Sequence, residues 1–371
     1  MRLTDIPTPG VLVESSRLER NLDRMQRATT TRGLRLRPHA KTHKSPHIAA
    51  MQIERGAVGI CCAKLGEAEV FADAGVKDIR IPYPLHPVNA DRVFALADRV
   101  MLSFIVDDAE VARAWSDAAR QRKRTLNVLV KVDVGFHRCG IDPASPDAVS
   151  TVREIARLAG LDVRGLLSHA GHSYSATSES EIAAIASMEA KLLRDLSEQS
   201  ELDCEEISVG ATPTVRFSLE ETGLTELRPG NYAYFDRTQV GLGSAAFEDC
   251  ALTVLTRVVS HPAPERLIFD SGSKTLTTDG ARGTGSPAGY GAVMTALDSM
   301  TPDSDLVVDR LSEEHATVRS TSGGTRLRTG DLVRIVPNHS CVVSTLVDHV
   351  WLVDGVHVVD KLPVAARGRI T

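Results

Sequence analysis

The side chains best suited to chemistry fall in three short stretches. The first, Arg37-Pro38-His39-Ala40-Lys41-Thr42-His43-Lys44, crowds three cations and two imidazoles into eight residues. Burial and neighbouring cations lower the pKa of a lysine and expose a nucleophilic amine able to form a Schiff base. A basic strand end facing water accounts for the same composition. The second stretch, Ser208-Val209-Gly210-Ala211-Thr212-Pro213-Thr214, sets a glycine before two hydroxyls at the start of a helical run. Backbone N–H groups, hydroxyls and the positive end of a helix suit a phosphate, and an ordinary N-capped turn uses the same residue types. The third is His339 and Cys341, two positions apart, which in an extended segment would share one face. Imidazole with thiolate favours Zn²⁺, whereas carboxylates would favour Mg²⁺ or Mn²⁺. A reactive lysine and a phosphate cup are together the two attachment points of pyridoxal phosphate, and the pair is more informative than either alone.

These stretches need elements that bring them together. Apolar, β-rich runs at 34–40, 58–62, 78–83, 101–106, 127–134, 163–169, 206–211 and 226–236 make eight strand candidates. Amphipathic helical patterns separate them at 66–74, 90–97, 108–120, 146–158 and 180–197. Such alternation implies parallel βαβ units, and eight of them imply closure, so the expected fold is α/β: a (β/α)8 TIM barrel over 15–240. An open dinucleotide-binding sheet is disfavoured, because no G-x-G-x-x-G turn follows the first strand. In such a barrel the functional groups collect where strands end, which is where Lys41 and Gly210 fall. Past 241 the helical periodicity fades and short β runs take over at 252–260, 266–270, 306–311, 331–336, 341–346 and 349–353. They predict a second, mainly β C-terminal domain over 241–371, joined by 1–14, where Thr8-Pro9 precedes a Val-Leu-Val run. Within it 278–292, rich in Gly, Ser and Thr, reads as a long mobile loop.

The 371 residues exceed what one barrel uses, which supports two domains. With 43 Lys+Arg against 48 Asp+Glu the formal net charge is −5, and no run offers the concentrated positive surface that nucleic acid requires. No apolar stretch approaches the roughly 20 residues of a membrane span. The opening Met1-Arg2-Leu3-Thr4-Asp5-Ile6-Pro7 has no apolar core of a secretory signal, so a cytoplasmic protein is expected. Its six cysteines are scattered through a chain too large to need stapling, and reduced thiols are expected.

Five motifs carry a family resemblance. Pro38-His39-Ala40-Lys41-Thr42-His43-Lys44, Asp133-Val134-Gly135-Phe136-His137-Arg138-Cys139-Gly140, Gly210-Ala211-Thr212-Pro213-Thr214, Arg228-Pro229-Gly230-Asn231-Tyr232 and Pro337-Asn338-His339-Ser340-Cys341 occur in this order. Together they resemble the D-threonine aldolase and D-serine dehydratase family, from Thr8-Pro9-Gly10 to the C-terminal region. The resemblance implies an alanine-racemase-like, fold-type III enzyme with pyridoxal phosphate, usually a homodimer, acting on a small D-hydroxy amino acid. It implies that Lys41 holds the cofactor and then moves the Cα proton, and that Gly210, Ala211, Thr212 and Thr214 hold the phosphate. Arg138 would face the pyridine nitrogen, where a permanent cation keeps that nitrogen unprotonated and weakens the electron sink. His169, Tyr174 and Tyr232, at or just after strand ends, would contact the cofactor ring or its 3-hydroxyl; packing alone accounts for each of them as well.

In the family context His339 and Cys341 become a divalent metal pair with positions open for water and substrate, Zn²⁺ first and Mn²⁺ or Mg²⁺ as alternatives. A metal pulling on the substrate β-hydroxyl while Lys41 takes the Cα proton gives dehydration, to keto acid and ammonia. Loss of the hydroxyl proton to a base such as His172 instead breaks the Cα–Cβ bond and gives glycine and an aldehyde. The aldolase branch usually has aspartate where Cys341 stands and the dehydratase branch has cysteine. The resemblance therefore favours a dehydratase of D-serine, D-threonine or a 3-hydroxy-D-aspartate-like acid. The following Val342-Val343-Ser344-Thr345-Leu346 departs from the Pro-Thr-Val-Asn run common to both branches, which bears on substrate preference. A racemase would need a second proton donor from the β domain, and non-catalytic cofactor carriers of this kind end after the barrel. Ser273, Lys274 and His315 lie in segments that are either substrate neighbours or polar turns.

Overall fold

The computed structural model describes residues 1–283 and 288–371. The first strand, β1 (Gly10–Glu14), joins the second sheet described below. Then β2 (Arg35–Leu36), β3 (Ile60–Cys61), β4 (Asp78–Pro84), β5 (Met101–Val106), β6 (Leu126–Lys131), β7 (Leu161–Leu167), β8 (Glu206–Val209) and β9 (Glu226–Leu227) form one parallel sheet in the order β2-β9-β8-β7-β6-β5-β4-β3. Its two ends meet: the Cys61 N–H donates to the Pro38 carbonyl at 2.8 Å, and His39 bridges Cys61 in parallel register. The sheet closes there into the eight-stranded barrel expected of alternating strands and helices.

Alternate residues on a strand face opposite ways. Ile79 and Ile81, Leu102 and Phe104, Val128 and Val130, and Leu166 all join the large core that also takes Val93 and Phe94 of helix Ala90–Ala97 and Trp115 of helix Ala109–Gln121. The opposite phase fills the barrel. Ile105, Leu129 and Leu167 form a small apolar layer there. The rest is ionic: Arg80 donates to Glu226 at 2.5 Å and to Glu206 at 2.6 Å, Arg37 to Glu226 at 2.8 Å and to Asp78, and the Ser208 hydroxyl to Glu226 at 2.6 Å. Buried ions are tolerated when paired this completely. Burial alone would raise the Glu226 pKa, but Arg80 and Arg37 prevail and hold it down at about 2.

The second sheet runs through β10 (Leu252–Ala263), β11 (Arg266–Phe269), β12 (Ala292–Met294), β13 (Leu306–Leu311), β14 (Ala316–Ser320), β15 (Leu332–Val336), β16 (His349–Asp354) and β17 (His357–Pro363). Its order is β11-β14-β13-β12-β15-β10-β1-β16-β17, and β10 also pairs with β11. Six strands thus close on themselves as an antiparallel barrel, flanked by β1, β16 and β17. The core of this sheet includes Val254, Val293 and Ile335.

Residues 341–346, expected as a strand, form instead a short helix, Ser340–Thr345. Val343 is buried in the second core, and the Ser344 hydroxyl donates to the Thr42 carbonyl at 2.5 Å, so tertiary packing overrides the β preference of the Val-Val pair. Of the expected loop 278–292, residues 284–287 lie outside the described residues. Its described flanks are tied down by Asn338, whose Nδ2 donates to the Asp279 carbonyl at 3.0 Å and the Gly289 carbonyl at 2.9 Å. All six cysteines are free thiols. No helix among the described residues is long and apolar enough to cross a membrane.

Candidate active site

A cavity of about 270 Å³ lies at the carboxyl ends of the barrel strands, closed from the other side by Asp279, Gly280, His339 and Cys341. The strand phase that fills the barrel delivers its wall: His39 follows Arg37, His169 follows Leu167, Gly210 follows Ser208 and Arg228 follows Glu226, each two residues on, and Lys131 ends β6.

Lys41 occupies the tight turn Ala40–Thr42 just after β2, capped by His39, whose Nδ1 accepts from the Lys41 N–H at 3.4 Å. Burial lowers the Lys41 pKa; Cys341 opposes the shift and Arg138 reinforces it. The neutral amine, the nucleophilic form, is thereby favoured. Burial, followed by the charge on Lys41, pushes His39 and His169 well below the ordinary imidazole value, so both rings are neutral. His169 Nδ1 is 2.7 Å from the Gly210 carbonyl, which can only accept. Nδ1 therefore carries the proton, and Nε2 is left as a bare acceptor.

Gly210, Ala211 and Thr212 line the cavity. A Cβ on Gly210 would stand 2.7 Å from the Arg228 nitrogen, so the close turn requires glycine. The Thr212 hydroxyl is buried in the cavity wall beside the Tyr174 phenol, where it can also donate to a group held in the cavity. Thr212→Val is expected to raise the dissociation constant of pyridoxal phosphate about tenfold, the weight of one hydrogen bond of ~1.4 kcal/mol. Titrating apoprotein with the cofactor checks this, and an unchanged constant removes Thr212 from the phosphate cradle.

Several expected residues stand elsewhere. Thr214 does not line the cavity; its hydroxyl donates to the Ala211 carbonyl at 3.1 Å and tightens the turn. Tyr232 is buried in the second core, where its hydroxyl accepts from Gln52 at 3.0 Å, and does not line the cavity. His172 sits 3.6 Å from where a Cβ on Gly135 would be and is not part of the cavity wall. Lys274 pairs with Glu313 and Glu314, and neither it nor Ser273 or His315 reaches the cavity. Tyr174 does line it, with burial, Cys341 and Asp236 raising its phenol pKa.

Arg138 also reaches the cavity, but from an exposed loop, its guanidinium 5.1 Å over the Phe136 ring. The guanidinium fixed inside the barrel is that of Arg228. Its Nε donates to Ser208 Oγ at 2.7 Å and its Nη2 to the Ser168 and Ser208 carbonyls, while no hydrogen bond among the described residues uses Nη1. Arg228, Lys131, Asp236 and Asp279 are cavity residues to which sequence reasoning assigns no role; the two-residue strand phase is the signal that finds the first two.

His339 and Cys341 meet at the cavity, though not on one face of an extended segment. His339 is the N-cap of Ser340–Thr345 and Cys341 lies on its first turn. The two side chains interact electrostatically, and Cys341 Sγ is 3.2 Å from Thr42 Oγ1 and 3.5 Å from Asn231 Nδ2. Burial alone would lower the His339 pKa and raise that of Cys341. Their mutual contact reverses both in the metal-free pair, raising His339 and lowering Cys341, which keeps the sulfur a thiolate donor. Among the described residues no three His, Cys, Asp or Glu side chains converge as a metal-holding group, so the protein offers two donors. A thiolate and an imidazole are donors that a divalent metal accepts, with further positions left to water and substrate.

Comparison with known proteins agrees with this architecture. Residues 13–238 match the alanine racemase N-terminal domain and residues 251–353 the putative serine dehydratase domain. The D-threo-3-hydroxyaspartate dehydratase of Delftia sp. (strain HT23) is 32% identical over 360 residues, covering 92% of this chain and 93% of that protein. The D-threonine aldolase of Arthrobacter sp. is 34% identical over 380 residues, covering 99% and 94%. The solved Delftia dehydratase superposes with a TM-score of 0.90 at 30% identity over 98% of each chain. A D-threo-3-hydroxyaspartate dehydratase with one cysteine replaced by alanine, solved in a metal-free form, also scores 0.90, at 29% identity over 98% of each chain. The chain belongs to the family that joins an alanine racemase N-terminal domain to a serine dehydratase domain, that of the D-threonine aldolases and D-serine dehydratases.

Proposed function

We propose that this protein is a lyase dependent on pyridoxal phosphate and a divalent metal, Zn²⁺ foremost, that eliminates water from a D-3-hydroxy amino acid to give a keto acid and ammonia. The observation that carries this reading is the meeting of Lys41 and the His339–Cys341 pair in one cavity, where Thr42, the neighbour of Lys41, hydrogen-bonds the Cys341 sulfur. The metal-free form of the cysteine-to-alanine relative supports the metal assignment. The two domain families, matching on either side of residue 241, support a cofactor-binding unit over 15–240 and a metal-bearing unit of 1–14 with 241–371. The same reading takes the enzyme as a cytoplasmic homodimer.

Bound pyridoxal phosphate supplies an electron sink for the Cα carbanion, and the divalent ion a Lewis acid at the β-hydroxyl. The remaining work falls to the chain. Lys41 anchors the cofactor and, once free, takes the Cα proton, a role that its burial-lowered pKa suits. Gly210, Ala211 and Thr212 hold the phosphate end. Arg228, its guanidinium fixed at the inner wall, would supply the permanent cation expected of Arg138. His169, neutral and bare at Nε2, offers an acceptor to the ring region. A retro-aldol outcome would need a base at the β-hydroxyl, for which His172, next to the wall residue Gly171 and with a buried, unpartnered Nδ1, is the candidate.

The test is a product assay on D-serine, D-threonine and 3-hydroxy-D-aspartate, with Zn²⁺ restored or chelated. Equal amounts of keto acid and ammonia are expected. Chelation stops their formation, and Cys341→Ala lowers it by more than about 100-fold, beyond what loss of a supporting contact costs. Glycine and an aldehyde as main products would replace the dehydratase by the aldolase.

A further inference from the structure

We propose that Asp279 is a positioning residue that fixes His339 with Nε2 as the metal-ligating nitrogen, delivered by a loop that the residue next to His339 holds in place. The inference rests on the metal reading above.

Asp279 Oδ2 is 2.6 Å from His339 Nδ1. An ionised carboxylate can only accept, so Nδ1 keeps its proton and Nε2 is the nitrogen left to ligate. The ring is then locked in both tautomer and rotation, and the carboxylate makes it a stronger donor to a cation. The pair is not explained by stability. The two side chains are 41% and 38% exposed, and ion pairs at such exposure contribute only ~0–1 kcal/mol.

The backbone beneath Asp279 is held from the metal side. Asn338, 1% exposed, donates to the Asp279 carbonyl at 3.0 Å and the Gly289 carbonyl at 2.9 Å. Arg237 in turn holds Asn338 Oδ1 and the Gly289 carbonyl, each at 3.3 Å. Successive residues therefore act reciprocally: Asn338 fixes the backbone of Asp279, and the Asp279 side chain fixes His339. Thr277, whose Oγ1 accepts from the Asp279 N–H at 3.3 Å, has φ 64° and ψ 162°. That region is costly for a β-branched residue and is kept only where surrounding contacts enforce it.

The test measures metal binding apart from turnover. In the cofactor-loaded protein, Zn²⁺ affinity is read by competition with a chromogenic chelator, and ligand geometry by the visible spectrum of the Co²⁺-substituted protein. Asp279→Ala is expected to weaken Zn²⁺ binding by about 10–100-fold and to alter the Co²⁺ spectrum, with cofactor absorbance unchanged. Asp279→Asn, whose amide oxygen still accepts from Nδ1, restores most of the loss. Wild-type affinity in Asp279→Ala, or a loss in Asp279→Asn as large as in Asp279→Ala, overturns the positioning role. A wild-type protein that binds neither ion overturns the metal reading and this inference with it.

Discussion

Lys41→Ala is expected to lower turnover by at least about 10³-fold, because one amine both anchors the cofactor and moves the Cα proton, and proton transfer alone is worth about 10²–10⁴. The absorbance band of lysine-bound cofactor is lost in the same variant, while phosphate contacts still hold free pyridoxal phosphate in the cavity. A rival amine makes this a sharp test. Lys131 also lines the cavity, and burial followed by Arg228 takes its pKa down to about 8. Geometry separates the two. Lys131 Nζ is engaged by the Val132 carbonyl at 2.8 Å, whereas Lys41 borders Thr42 and, through it, the metal pair. A band that survives Lys41→Ala and disappears in Lys131→Ala would move the attachment point to β6.

Glu226→Gln is expected to destabilise the fold by about 3–5 kcal/mol, the usual loss when one partner of a buried ion cluster is removed. Glu226 is fully buried and receives Arg80 at 2.5 Å and Arg37 at 2.8 Å; glutamine keeps one acceptor and removes the charge that compensates two guanidiniums. Chemical denaturation of both proteins checks the figure. The pH dependence follows from the depressed pKa. Glu226 titrates near 4.5 when unconstrained and near 2 in the fold. Its stabilisation is full above about pH 4.5 and declines as pH falls toward 2. The gap between wild type and Glu226→Gln should therefore be largest at neutral pH and shrink through that window. A gap that stays constant from pH 7 to 3 would mean that the carboxylate charge is not what holds the two arginines.

Where local pattern and burial agree, the sequence reads correctly. Strand Met101–Val106 and helix Ala90–Ala97 coincide with their expected bounds, since each carries a single unambiguous period and a buried face. Helix Ser340–Thr345 is hidden, because its cause is a bond from Ser344 to Thr42, 302 positions away, which no local window contains. The site divides in the same way. Lys41, Gly210 and Cys341, expected together from the sequence, do line one cavity. Thr214 and Tyr232 do not line it, and their hydroxyls, which look available in sequence, are engaged by Ala211 and Gln52. Arg228 is concealed by the turn signal of the Pro229-Gly230 that follows. It becomes visible once Glu226 and Arg228 are placed in phase with Glu206, Ser208 and Gly210. Asp279 gives no such signal, since its meaning comes entirely from a partner 60 positions later.

The hydrogen bond between Thr42 and Cys341 joins residues 299 positions apart. A ribosome adding about 5–20 residues per second needs about 15–60 s to travel that distance. Through that interval a nascent chain holds Lys41 and later Gly210 and Thr212, but neither His339 nor Cys341, which close the cavity from the other side. The cavity wall is thus made in two instalments, the barrel side first, and only the later emergence of His339 and Cys341 completes it.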